Sequence, residues 1–473
     1  MKLIIIIASV LTFLSNVYGD TQVNVRKQTL SLDSIHLPHV RHVTLANGLT
    51  IYLKKTHDLP LIRMTAHFGI GLSSNPSAKY GLTTLLRTLI RRDLFRQIRK
   101  INGYVNLKHP LPKIYSSESH DISSIEIDGI YDLSDTSSRR LFKRTCQSFA
   151  KALFSTDITK NRVLANKRHL LKQLGIWVNK PDLYIKHLAR YHLNDPDFTP
   201  NTYIQAVKKI GLNDVLNVYR TYIKPNTTVL TVTGSFNIDN MISILKGPLN
   251  SWEKSEVSYP KTPKIISEQT FTFIPRNSVQ TYVYLGASTF KCPHSDYITL
   301  ILANYILGQM VHTNRLYREI RSEQGLVYSI QSRLRMSPFG KGTLEILFYC
   351  KPKKVIPVIN RVTQTLQQFI NGPISAHELL QAKHHYIFSC PGQVNSSRRY
   401  LNTFAKHKLL GFPPHFNYNM IERLKTISQK DILEVARKYF SPKRFTIILS
   451  GKKLNWNNPK LKAVIQARRF IKN

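Results

Sequence analysis

One series of secondary-structure patterns occurs twice along this 473-residue chain and limits its fold more than any other property. In the first half, the strand pattern LIRMTAHFGIGL precedes an amphipathic helix, a strand pair, a helical region and a closing strand, TTVLTVTGSF. In the second half, VQTYVYLGAST precedes the same kinds of element, and FTIILSGKK closes the series. Each closing strand ends in glycine, and the turn before each strand contains proline. An internal duplication with a period of about 210 residues explains both occurrences.

The duplication predicts an α+β fold of two homologous α/β-sandwich domains, because helices group apart from strands in each half. A chain of this length also exceeds what one hydrophobic core supports. We predict an N-terminal domain over 40–251 and a C-terminal domain over 269–455. Residues 252–268 lose all periodicity and are predicted to be a linker, and residues 456–473 are predicted to form a basic tail.

The N-terminus has the pattern of a secretory signal. A lysine precedes an apolar run from Leu3 to Leu14, and Val17 and Gly19 are small enough for a signal-peptidase site. An uncleaved membrane anchor needs about 18 apolar residues, and this run is shorter. We therefore predict a signal peptide over 1–19, no transmembrane segment, and an exported protein that is periplasmic or secreted.

Export permits disulfides but does not require them. The chain has four cysteines, Cys146, Cys292, Cys350 and Cys390, which allow three pairings. Their wide spacing excludes a CxxC zinc or redox motif. The sequence does not select a pairing, and buried free thiols are an equal alternative.

The charge of the chain is strongly basic: 68 Lys and Arg against 27 Asp and Glu give +41. These residues are scattered, whereas a nucleic-acid binder usually concentrates them in a motif or with aromatic residues. Solvated surfaces therefore explain the charge better than nucleic acid, and attraction to acidic peptides or an anionic membrane surface stays open. The densest cluster follows one predicted helix and consists of Arg87, Arg91, Arg92, Arg96, Arg99 and Lys100.

That helix begins in the stretch GLTTLLRTLIRR, residues 81–92. Five residues recur at the spacing of one helical face and predict a packed helix: Leu82, Leu85, Leu86, Leu89 and Ile90. Thr84, Arg87 and Thr88 lie off that face.

Three stretches, LANGLTIYLKK, GLTTLLRTLI and ANYILGQMVHTNRLYREIRSEQGLVYSI, resemble the pitrilysin/insulinase (inverzincin) metallopeptidase family. The resemblance covers about residues 40–455 and is closest to two-domain members that work as paired subunits. It implies two homologous α+β domains that close around a peptide chamber.

The family's metal site is an HxxEH motif on the helix after a Gly-Leu pair. Histidines at i and i+4 share a helix face and bind one zinc ion, and the glutamate takes a proton from the zinc-bound water. The resemblance places these three ligating and catalytic positions at Thr84, Arg87 and Thr88, and a third ligand near Asn166. A threonine hydroxyl is a poor zinc ligand, and a unit charge 4 Å from another near a surface interacts by about 4 kcal/mol, so Arg87 repels a dication. We expect this chain to bind no metal and to have no catalytic residues of its own.

In paired-subunit members, the partner without zinc supplies an arginine and a tyrosine from its second domain. Arg321 and Tyr328, in RSEQGLVY, match that pair at the same separation. Arginine offers fixed donors to a peptide carbonyl or carboxylate, and a tyrosine hydroxyl donates to an oxyanion. The structural alternative is an arginine at a helix C-terminus before Gly325 and a half-buried strand tyrosine. The glycine-rich loop of the family is reduced here to Gly308.

The resulting prediction is an exported, non-catalytic, substrate-positioning subunit of a heterodimeric peptidase. Zinc is expected in a partner subunit of the same family, and the substrate is expected to be an unfolded peptide. The alternative is a non-hydrolytic peptide-binding or scaffold protein.

Overall fold

A computed structural model of the protein describes residues 39–56, 59–75, 79–102, 110–180, 198–258, 270–310, 312–394, 397–452 and 469–472. The predicted signal peptide lies outside these residues, as do most of the predicted linker and tail. The side chains of 102, 388–394 and 469–472 are also not described.

In the described residues of the first half, six strands form one sheet in the order β1-β2-β6-β3-β5-β4. Only β2 and β6 are parallel, and the other neighbours are antiparallel. The strands are β1 (Arg41–Thr44), β2 (Thr50–Lys55), β3 (Leu61–Phe68), β4 (Lys113–Glu118), β5 (Ser123–Ile130) and β6 (Thr228–Gly234).

The described strands of the second half form another six-stranded sheet, in the order β12-β7-β11-β8-β10-β9. Five of these strands repeat the order and directions of the first sheet, with β7 and β11 in place of the parallel pair. The sixth differs, because β12 is parallel to β7 whereas β1 is antiparallel to β2. The strands are β7 (Thr270–Pro275), β8 (Thr281–Ser288), β9 (Ile330–Arg335), β10 (Thr343–Cys350), β11 (Thr446–Gly451) and β12 (Arg469–Lys472). The predicted α+β duplication is therefore confirmed, and β12 shows that part of the predicted tail belongs to a sheet.

In each half, one described helix precedes the strand pair and several helices lie between that pair and the closing strand, whereas a described helix follows the closing strand in the first half alone. In the first half the helices are α1 (Leu82–Asn102), α2 (Thr136–Phe154), α3 (Lys160–Asn179), α4 (Pro200–Lys209), α5 (Leu212–Tyr222) and α6 (Ile238–Asn250). In the second half they are α7 (Tyr297–Gly308), α8 (Val355–Asn371), α9 (Ala376–Val394), α10 (Ser397–Leu409), α11 (Phe416–Thr426) and α12 (Gln429–Tyr439).

Helix α1 packs as its sequence predicts. The five apolar residues of its predicted face, Leu82 to Ile90, are each only 1–2% exposed. Gly81 precedes the helix with φ +86, and a Cβ there would lie 2.8 Å from Val207 Cγ2, so glycine is needed at this turn. The helix lies against β4, β5 and α3.

Helix α10 belongs to the second half of the sequence but packs on the first sheet, against β2, β3 and β6. Tyr400 and Phe404 of this helix form a buried cluster with Tyr52 and Val229 of that sheet. The neighbouring strand residues, such as Ile51 and Leu230, point to the opposite face and join the main core. The first sheet is therefore covered on both faces.

A buried carboxylate joins α10 to the same sheet. Glu126, on β5, is 3% exposed and accepts a hydrogen bond from Arg398 Nε at 2.8 Å. It also accepts from Thr65 Oγ1 at 3.0 Å and lies 3.5 Å from Arg63 Nε. Arg63 in turn pairs with Asp128. This polar network links residues 272 positions apart in sequence.

Three cysteines, Cys146, Cys292 and Cys350, are buried free thiols, whereas the side chain of Cys390 is not described. Burial raises the pKa of Cys292 and Cys350 to about 12 and raises that of Cys146 further. Among the described helices, none has the length and apolarity needed to span a bilayer.

Candidate functional site

The three polar positions of α1 are occupied by hydrogen bonds within the protein. Thr84 Oγ1 donates to Glu118 Oε2 at 2.6 Å, and Thr88 Oγ1 donates to the carbonyl oxygen of Thr84 at 2.8 Å. The Arg87 guanidinium donates to Ser116 Oγ, and its Nε lies 3.8 Å from Glu118 Oε2. The helix is thus connected through these side chains to β4. Sequence analysis did not single out Ser116 and Glu118, although the alternation in KIYSSE places both on one strand face.

Asn166 lies on α3, which packs against α1. It is 5% exposed, and its Nδ2 donates to the carbonyl oxygen of Arg162 at 2.8 Å. Its Oδ1 is buried and has no hydrogen-bond partner among the described residues.

This donor set does not fit Zn²⁺, which binds thiolate, imidazole and carboxylate. Two of the positions offer hydroxyls that already donate hydrogen bonds, a third holds a fixed positive charge, and the fourth offers one amide oxygen. Across the described part of the chain, no group of three or more His, Cys, Asp or Glu side chains is arranged to hold a metal ion.

The second candidate region is a π-helical segment, Tyr317–Ser322, that is anchored on its N-terminal side. Asn314 Oδ1 accepts from the Tyr317 N–H at 2.8 Å. Arg315 makes two hydrogen bonds to the Glu378 carboxylate, at 2.7 and 2.8 Å. Leu316 and Ile320 are fully buried. Much of the motif NRLYREIRSEQGLVY therefore fixes this segment in place, and π-helical turns often occur at functional sites.

Arg321 and Tyr328 lie together at the solvent side of this segment. The Arg321 guanidinium carbon is 5.1 Å from the centre of the Tyr328 ring and 4.8 Å from that of Tyr317. Among the described residues, no carboxylate lies within ion-pair distance of Arg321. Tyr328 is 71% exposed and precedes β9, which begins at Ile330, so the half-buried strand tyrosine of the structural alternative is not what the structure shows.

Two further features of this segment were partly visible in the sequence. Gly325 has φ +55 and its N–H donates to the Arg321 carbonyl oxygen at 2.9 Å, so the glycine ends the helical turn as the structural alternative expected. Tyr317 was not singled out, although it is four residues before Arg321 and therefore adjacent on a helical turn. The structure brings Arg321, Tyr328 and Tyr317 together. In a separate region, it connects Thr84, Arg87 and Thr88 of α1 to β4.

Strand β4 forms one end of the first sheet and pairs only with β5 among the described strands. Its side chains alternate: Ser116 and Glu118 contact α1, whereas Tyr115 on the other face is 46% exposed. An edge strand of this kind can accept an extended peptide through its unpaired backbone groups.

Two six-stranded sheets of repeated topology define the α+β fold, and Thr84, Arg87 and Thr88 lie on the first long helix where the family resemblance expects the metal site. Residues 209–386 match the family model described as "Peptidase M16 inactive domain". The chain is therefore similar to pitrilysin-like M16 proteins that are described as inactive or as non-peptidase homologues.

Individual relatives agree with this assignment. The non-peptidase homolog YmxG of Helicobacter pylori is 26% identical over 257 residues, which are 53% of this chain and 58% of that protein. The match thus spans less than two thirds of this relative. The crystal structure of a peptidase M16 inactive domain from Pseudomonas fluorescens has the same fold, with a TM-score of 0.73 and 14% identity over 88% of this chain and 99% of that chain.

A longer structure has the fold as well. The periplasmic protease PqqL from Escherichia coli matches with a TM-score of 0.68 and 15% identity, over 89% of this chain but only 46% of that chain. At these identities the two solved structures establish the fold alone.

Proposed function

We propose that this chain is the non-catalytic, substrate-positioning subunit of an exported heterodimeric peptidase. In this assembly a partner of the same family carries the zinc site. Arg321 and Tyr328 reach the peptide bond that the partner cleaves, where the guanidinium binds a peptide carbonyl or carboxylate and the phenol hydroxyl donates to the developing oxyanion.

The observation that carries the proposal is the contrast between the two candidate regions. Thr84, Arg87 and Thr88 are engaged in internal hydrogen bonds, whereas Tyr328 is 71% exposed and the partly buried Arg321 guanidinium lies against its ring at the end of an anchored segment. Anchored donors of this kind are suited to electrostatic stabilisation, because they need no reorganisation when charge develops.

The size of PqqL supports a paired arrangement, since this chain accounts for 46% of that longer chain. Its description as periplasmic also agrees with the signal peptide that the sequence predicts over 1–19. The substrate in this proposal is an unfolded peptide that adds as a strand to the open edge of β4.

The test is co-purification of the tagged, full-length chain from the organism that makes it, followed by metal analysis and a peptide-cleavage assay. We expect one zinc ion per heterodimer, located in the partner. Removing a donor to an oxyanion typically lowers kcat by about 100-fold or more, so Tyr328→Phe is expected to lower kcat by about that factor. Arg321→Ala removes a group that binds and positions the substrate, and it is expected to lower kcat/KM.

Arg318→Ala is the matched control, because Arg318 lies on the same segment with a 53% exposed side chain and pairs with Glu319 and Glu323. It is expected to leave kcat unchanged. Equal activity of the Arg321→Ala assembly, or zinc and peptidase activity in the isolated chain, contradicts the proposal.

The name of the Helicobacter relative, a non-peptidase homolog, favours a second candidate: a peptide-binding scaffold without hydrolysis. A chain that purifies without a zinc-bearing partner and still binds peptides supports this candidate over the first.

A further inference from the structure

Positive charges collect where α1 and α3 pack together. Arg87, Arg91 and Arg92 lie on α1, and Lys172 lies on α3 together with His169, whose lowered pKa leaves it neutral at pH 7; these five residues are called the cationic patch below. Arg87 and Arg91 are one helical turn apart and therefore share a face. The patch begins at one of the altered metal-site positions and continues along the helix.

Most of this charge has no counterion in the part of the chain that the structure describes. Arg91 and Arg92 have no ion-pair partner among the described residues, whereas Arg96 of the same helix lies 2.7 Å from Asp93. In the patch itself, Glu118 approaches only Arg87, at 3.8 Å. The remaining cations repel one another, and an anion bound between them relieves that repulsion.

The pKa values of Arg91 and His169 are both lowered by burial and by nearby positive charges. Burial lowers the pKa of Arg91, and the nearby charges of Arg92 and Arg87 lower it further. Burial also lowers the pKa of His169, with additional lowering by Arg92, Arg91 and Lys172. These neighbouring charges agree with the packing of α1 against α3, which places the members of the patch on adjacent helices.

The Arg87 end of the patch adjoins β4, which is an edge strand among the described strands. Ser116 and Glu118 of that strand contact α1, so this face of the sheet edge points toward the helix. In a strand added beside β4, every second side chain points to the same face. Acidic side chains at those alternate positions would point toward α1, where Arg87 contacts β4 and the rest of the patch continues along the helices.

We propose that the cationic patch is an anion-recognition site that selects acidic side chains in a peptide laid along β4. The proposal rests on the peptide binding proposed above and adds a substrate class to it. The unpaired N–H and C=O groups of an edge strand match a peptide backbone and not a sugar-phosphate chain, which favours an acidic peptide over nucleic acid.

The test measures binding of two fluorescent peptides to the full-length chain by anisotropy. One peptide alternates Glu with Thr, and the other has Gln in place of each Glu. We expect the Glu peptide to bind about tenfold more tightly, which corresponds to about 1.4 kcal/mol. This preference is expected to shrink steeply with added salt.

Arg91→Gln/Arg92→Gln is expected to abolish most of the preference. The matched control is Arg139→Gln/Arg140→Gln, an exposed adjacent pair on α2 whose loss changes the net charge equally. Lys172→Gln, on the exposed side of α3, is expected to weaken Glu-peptide binding without touching the packing of α1. Thermal melts of each variant verify that it is folded.

Equal binding of both peptides, or an equal loss in the control pair, overturns the proposal. A single-stranded DNA of equal charge that binds as tightly, with the same dependence on Arg91 and Arg92, also overturns it, because the site is then not selective for peptides. Arg321→Ala is expected to retain the Glu preference while losing partner-dependent cleavage. If Arg321→Ala loses cleavage but the unaltered chain shows no preference for the Glu peptide, the patch proposal is refuted and the proposed function is not.

Discussion

Glu126→Gln tests whether the buried polar network holds α10 on the first sheet. The substitution keeps the shape of the side chain but removes the charge that faces Arg398 at 2.8 Å and Arg63 at 3.5 Å. Breaking a fully buried ion pair costs about 3–5 kcal/mol, whereas an exposed pair contributes up to about 1 kcal/mol. The Arg398 side chain is 44% exposed and Arg63 keeps Asp128 as a partner, so the expected cost lies between these limits, at about 2 kcal/mol.

Urea unfolding followed by tryptophan fluorescence measures this cost, because Trp177 and Trp252 are both buried in the first half. Arg398→Gln alone is expected to cost about 1 kcal/mol or less, since that group is nearly half exposed. The double variant is expected to cost less than the sum of the two single variants, because both remove the same contact. Glu434→Gln, on the exposed face of α12, is the matched control and is expected to leave the midpoint unchanged. An unchanged midpoint for Glu126→Gln, or strict additivity in the cycle, refutes the reasoning.

Two more perturbations have outcomes fixed by the structure. Burial lowers the pKa of His67 and of His407 to about 4, so as pH falls below about 6.5 the unfolded state takes up protons first. Each histidine then removes about 2 kcal/mol of stability between pH 7 and pH 5. His67→Asn is expected to make the urea midpoint less dependent on pH over this range. An unchanged dependence contradicts the lowered pKa of His67. Gly325→Ala is expected to lower stability by about 1 kcal/mol through its φ of +55 alone, since an added Cβ meets no atom within 4 Å. Gly175→Ala, equally open but inside α3, is expected to raise stability by about 0.5–1 kcal/mol, and the same sign for both in thermal melts refutes the backbone explanation.

The sequence predicted the elements whose patterns are local. Nine residues are enough to show the apolar face of α1. Runs of β-branched residues that end in glycine predict the closing strands β6 and β11. Because these patterns recur in the same order, the duplication and the α+β class could also be predicted.

Contacts between distant parts of the chain could not be predicted in the same way. Nothing near α10 in the sequence indicates that Tyr400 and Phe404 pack on β2 and β6. That contact depends on the packing of a second-half helix against the first-half sheet. Strand β12 was missed for a related reason: its four residues form a strand only because β7 offers an edge.

The candidate site also has features that local spacing predicts and contacts between distant residues that it does not predict. The positions of Thr84, Arg87 and Thr88 on one side of a helix follow from spacing, but their partners Ser116 and Glu118 are 29 and 34 residues away, on a strand whose register the sequence does not fix. The Arg321–Tyr328 pair was singled out by resemblance. Its stacking with Tyr317 depends on a π-helical turn, which periodicity at 3.6 residues does not reveal.

The position of α10 restricts how a peptide can enter the proposed heterodimer. A movement that separated the two sheets would remove this helix from Tyr52 and Val229 and would take Arg398 away from the buried Glu126 carboxylate. These contacts resist separation of the two sheets within this chain, so in the proposed heterodimer we expect a peptide to be admitted by movement of one subunit relative to the other.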